Sequence, residues 1–131
     1  MNGYEGDRSA ADYELHAGDV VWWDHRSWEG QMRQPVVVGA FPEPFLHGWD
    51  GNRRPAVVEG ASTPLRRRLA SLISPDAGEG EPNRLVIVDG AAFRARLAGS
   101  PGDPVVFELG RDLVDRVLED PSSVRYRYEL P

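Results

Sequence analysis

Residues able to do chemistry are few in this chain, and their spacing favours binding over bond breaking. The histidines His16, His25 and His47 form no HExxH motif and no i, i+4 pair of histidines, so zinc ligation is not indicated. There is no cysteine, which removes thiolate chemistry and disulfides. His47 lies between Phe45 and Trp49 in "PEPFLHGWDGNRR", residues 42–54. There an imidazole can bond a ligand or hold its own loop through a backbone carbonyl. Arg53 and Arg54 follow, with guanidinium forks suited to a carboxylate or phosphate, or equally to Asp50 or Glu43. Asp89-Gly90 ends an apolar run, where open α/β sheets place ligands, but no GxGxxG, GxxxxGK[ST] or GxSxG is present. Asp76, Glu79 and Glu81 crowd a loop and read as solubilising charge. Arg66, Arg67 and Arg68 fan round a helix and read as a solvated face. No catalytic residue, metal or cofactor is indicated, and an enzyme built on Asp89 would require a pocket there.

The tryptophans are more informative. All four lie between residues 22 and 49, three of them in "GDVVWWDHRSW". Adjacent residues of an extended chain point to opposite faces, so Trp22 and Trp23 cannot both enter one core. The second is either packed between two layers or the wall of a site. As a site, it makes Trp23, Trp28 and Trp49 the stacking surface, with His47 and Arg53 as polar contacts. An exposed aromatic also suits a protein interface, with Tyr126 and Tyr128 as companions.

The elements that must position these residues differ between the two halves. Residues 1–55 read as a β-rich aromatic segment: strands over Ala11–Leu15 and Val20–Trp23 around an Ala17-Gly18-Asp19 turn, a buried strand in "PVVVGAF", then a loop rich in proline and glycine. Residues 56–131 read as a small strand-helix layer, separate or continuous with the first part. Val57 and Val58 sit in a strand. Ser62 or Thr63 caps a helix with Pro64 in its first turn, and Leu65, Leu69, Leu72 and Ile73 fall at i, i+4, i+7, i+8. "RLVIVDG" and "DPVVFELG" read as buried strands, "AAFRARLAG" as a short second helix, and "RDLVDRVLEDP" as a third. "VRYRYEL" alternates strictly and reads as an edge strand. The expected fold is therefore α/β, with a mixed, partly parallel sheet and three helices, preceded by the β-rich aromatic segment.

Charge narrows the partners. The formal net charge is -6, and every basic side chain is arginine. That field repels phosphate, so a nucleic-acid partner is not expected. No run approaches the roughly 18 apolar residues of a membrane span, and the N-terminus lacks a signal-peptide pattern.

Residues 2–28, "NGYEGDRSAADYELHAGDVVWWDHRSW", resemble the transcobalamin-like C-terminal domain family in a bacterial subgroup. The matching features are the Asn2-Gly3 turn, Ala11–Leu15, Gly18-Asp19 and the Trp22-Trp23 pair before Asp24. The resemblance begins in what would be the middle of that domain, and so implies a module truncated at its N-terminus. It implies ligand capture, with a cobalamin-like tetrapyrrole as the ligand class, and an extracytoplasmic or cell-surface placement; a native start at Met1 would imply the cytoplasm. Residues and resemblance together lead to a non-enzymatic binding module of a bacterial surface protein. The alternatives are a structural or protein-interaction domain, including a homo-oligomer, and an enzyme.

Overall fold

Alternation along the central strands determines the architecture. In β2 (Asn83–Val88), Asn83, Leu85 and Ile87 are buried while Arg84 is exposed. In β4 (Val105–Gly110), Val105, Phe107 and Leu109 are buried. This is a computed structural model, describing residues 1–25, 27, 29–30, 33–76 and 78–125. With β1 (Ala56–Glu59) and β3 (Phe93–Leu97), these strands form one sheet in the order β1-β2-β4-β3. β1 and β4 run parallel to β2, and β3 is antiparallel to β4.

The register aligns the apolar positions. Val58 pairs with Leu85, Leu85 with Phe107 and Phe107 with Ala95, and the next row runs Ile87, Leu109, Phe93. A slip of one residue would turn all of them outward. The opposite face carries ion pairs instead: Arg84 donates to Glu59 at 2.9 and 2.6 Å, and Arg96 meets Glu108.

The helix α1 (Thr63–Ile73) crosses from β1 to β2, the connection two parallel strands require. Pro64 opens it and Leu69 and Ile73 are buried, as the spacing predicts. A 3-10 turn, Arg111–Leu113, leads into α2 (Val114–Glu119), which buries Val114 and Val117. One hydrophobic cluster takes side chains from both sides of residue 55, including Tyr4, Val36, Phe41, Phe45 and Trp49. At its centre Phe41, Phe45, Phe93 and Phe107 meet in mostly edge-to-face contacts with centroids 5.2 to 6.1 Å apart.

The expectation of three helices is corrected to two. "AAFRARLAG" contains no helix; it contributes β3. Alanine and arginine favour helices, but Phe93, Ala95 and Leu97 also alternate with Arg94 and Arg96. Pairing along β4 rewards the period of two. The β-rich reading of the first half is corrected as well, since its described residues contain no strand, only isolated bridges at Tyr4–Val36 and Trp49–Asn52. Ser9 caps a 3-10 turn, Ala10–Asp12, where the first strand was expected. The run from Val36 is buried as expected, but turns at once into a 3-10 segment, Val38–Ala40. Val20–Trp23 forms no strand with the described residues: Val20 exchanges its backbone bonds with Asn2. The expected edge strand falls outside the described residues from Tyr126 on, and Val124 ends a 3-10 turn, Pro121–Val124. No helix among the described residues is long and apolar enough to cross a membrane.

Candidate functional site

Asn2 organises the surface on which the tryptophans stand. It is fully buried with φ +44°, a left-handed conformation that asparagine tolerates. Its backbone N–H donates to the Val20 carbonyl at 2.8 Å, and its side-chain oxygen accepts from the Val20 N–H at 2.7 Å. The amide nitrogen donates to Asp19 at 2.7 Å and to the Gly48 carbonyl at 2.9 Å. One side chain thus ties the 16–20 turn to the 42–48 turn. Burial raises the Asp19 carboxyl, but the Asn2 amide, the His16 backbone N–H and the nearby His16 and His47 outweigh it and hold Asp19 below its ordinary value.

The 42–48 segment is a tight double turn. Phe45 N–H donates to the Pro42 carbonyl at 3.0 Å and Gly48 N–H to that of Pro44 at 3.1 Å. It places Glu43 and His47 one turn apart. Glu43 is 2 % exposed, and both its oxygens are engaged by His47: Oε2 accepts the backbone N–H at 3.0 Å, and Oε1 meets Nδ1. The carboxylate on Nδ1 fixes the orientation of the ring and leaves Nε2 as the nitrogen turned away from Glu43. Gly18 packs against that edge, and any Cβ at position 18 would collide with Nε2.

Between these segments lies an open cleft of about 470 Å³, with Val20, Val21, Trp22, Trp23, Phe41 and His47 among its lining. This lies within the range of roughly 300–1,000 Å³ typical of small-molecule sites. Phe41 contacts Phe93 and Phe107 behind the cleft, which ties its floor to the sheet. Trp22 is half-buried, whereas Trp23 is 78 % exposed, with Val20 and Val21 exposed beside it. The opposite-face argument therefore resolves in favour of an exposed second tryptophan. No Ser, Thr, Cys or Tyr is among the described lining residues.

Of the residues expected to bind, the structure brings Trp23 and His47 to this cleft. Trp49 lies elsewhere: it is buried, edge-on to Tyr4 and Tyr13 at 5.5 Å each, because an indole of that size stabilises most when enclosed. Arg53 is also elsewhere, donating to the Ser74 carbonyl at 3.3 Å. Neither expected acid partner meets it, since Asp50 pairs with Arg8 at 3.4 Å and Glu43 with His47. Trp28 falls outside the described residues. Asp89 stands 99 % exposed beside Arg111. Sequence reasoning missed Glu43, whose i, i+4 spacing to His47 was the available signal, and Arg125, which also lines the cleft. No group of three potential metal ligands occurs among the described residues.

No family model, curated protein or solved structure matches the chain.

Proposed function

We propose that this chain is a non-enzymatic binding module whose cleft takes a flat small ligand of the tetrapyrrole class, and that it serves within a bacterial surface protein. The observation that carries the reading is Trp23, 78 % exposed on the wall of a concave site that also holds His47. A large apolar ring is seldom left in water without a partner. The floor is preformed by Phe41 and the phenylalanine cluster, so little ordering opposes ligand entry. The choice of ligand class and the surface placement draw on the transcobalamin-like resemblance of residues 2–28.

The test is equilibrium dialysis against a cobalamin and against haem, read by each ligand's visible absorbance. Saturable retention that Trp23→Ala abolishes is the expected result. Retention of neither by the intact chain removes the tetrapyrrole class.

A second reading rests on Leu15, Val20, Val21 and Trp23, exposed apolar residues of one stretch. They suit a protein interface with no small ligand. In that case light scattering shows a concentration-dependent size, and Trp23→Asp abolishes it.

A further inference from the structure

The cleft holds two groups of opposite charge in different circumstances. The Glu43 carboxylate is 2 % exposed and each of its oxygens already meets a His47 nitrogen, so its charge is turned to His47 and not to a ligand. Arg125 also lines the cleft. It is exposed, and among the described residues its side chain makes no ion pair or hydrogen bond.

Its backbone is nonetheless held. Arg125 N–H donates to the Ser122 carbonyl at 2.9 Å, closing the 3-10 turn Pro121–Val124. Asp120 caps that turn by accepting from Ser122 N–H at 2.9 Å, and Val124, next to Arg125, is 1 % exposed in the core. A guanidinium fork thus projects from an anchored backbone beside an aromatic wall.

We propose that the ligand of this cleft carries a carboxylate, and that Arg125 is the residue that holds it while Trp23 covers the flat body. Guanidinium pairs with carboxylate through parallel N–H bonds that fix orientation as well as affinity. Arg125 then determines specificity: it separates flat acids from flat neutral molecules of equal size. This inference rests on the small-ligand reading above and names the chemistry of that ligand.

The experiment compares pyrenebutyrate with pyrenebutanol, alike in ring and chain but only one a carboxylate, by fluorescence titration of the intact chain and of Arg125→Ala and Arg125→Lys. Haem, with free carboxylates, and a cobalamin, with an amide periphery, are run alongside. The expected result is a preference of about tenfold for the acid, equivalent to about 1.4 kcal/mol. Arg125→Ala removes it without changing the melting temperature, and Arg125→Lys restores part of it. Equal binding of acid and alcohol, unchanged in Arg125→Ala, overturns the Arg125 assignment and leaves the small-ligand reading standing. Binding of pyrenebutyrate through Arg125 without retention of haem or cobalamin upholds the assignment and removes the tetrapyrrole class. Retention of no probe overturns both.

Discussion

Glu43 and His47 hold each other twice, through the imidazole Nδ1 and through the backbone N–H of His47 at 3.0 Å. The carboxylate is buried and His47 reaches the cleft, so a core residue orients a surface one. Glu43→Ala strands the His47 N–H and is expected to cost roughly 1–3 kcal/mol. Glu43→Gln keeps an oxygen for that N–H and is expected to cost less. Urea unfolding measures both as shifts of midpoint at constant slope. Equal losses in the two variants would show that the stabilisation comes from the carboxylate's charge and not from the retained N–H bond, whereas no loss in Glu43→Gln would show that the charge contributes nothing of its own.

Trp23 and Trp49 separate binding from stability. Trp23→Ala removes a side chain 78 % exposed and is expected to change stability by no more than about 0.5 kcal/mol. Its effect appears in ligand retention. Trp49→Ala empties a site packed by Tyr4 and Tyr13 and is expected to cost about 3–5 kcal/mol. Thermal unfolding of the two proteins, run with the dialysis assay, checks the contrast.

Two glycines share a backbone conformation but not a neighbourhood. Gly48 has φ +71° and Gly90 φ +89°, so alanine is strained at either position. A Cβ at Gly90 meets nothing within 4 Å, whereas at Gly48 it collides with the Asn52 carbonyl. Gly90→Ala is expected to cost about 1–2 kcal/mol. Gly48→Ala is expected to cost more and to weaken the cleft, because the Gly48 carbonyl also accepts from Asn2.

Asp19 links stability to acid pH. Its folded carboxyl lies below the ordinary value of 3.8. A depressed folded value means that the contribution is complete above 3.8 and disappears as pH falls through the folded value. The excess stability of the wild type over Asp19→Asn is therefore expected to be full at about pH 6 and to shrink as pH falls below 3.8 through the folded value. Urea midpoints of the two proteins across that range measure it, and a difference independent of pH would remove Asp19 as the source.

Leu65, Leu69, Leu72 and Ile73 make α1 legible without a structure, because their spacing repeats over enough turns to exclude a strand. The apolar runs of β2 and β4 are legible for a similar reason, bounded by turn formers on each side. Phe93–Leu97 is not, since five residues containing alanine and arginine satisfy both periods, and only the partner β4 decides between them. Trp22 and Trp23 show how far local geometry reaches. In an extended strand adjacency would part the two rings, but here both line the one cleft, Trp22 half-buried and Trp23 exposed. Which one is left in water follows from Asn2 gripping Val20 and from Phe41 packing on the sheet, contacts between residues far apart in the chain. The binding set divides on the same ground. His47 reaches the cleft because the 42–48 double turn directs it there, whereas Trp49, two residues on, turns into the core beside Tyr4. Tertiary structure alone brings Glu43 behind His47 and Arg125 to the rim, because residue type and spacing state what a side chain can do, and only packing states what it faces.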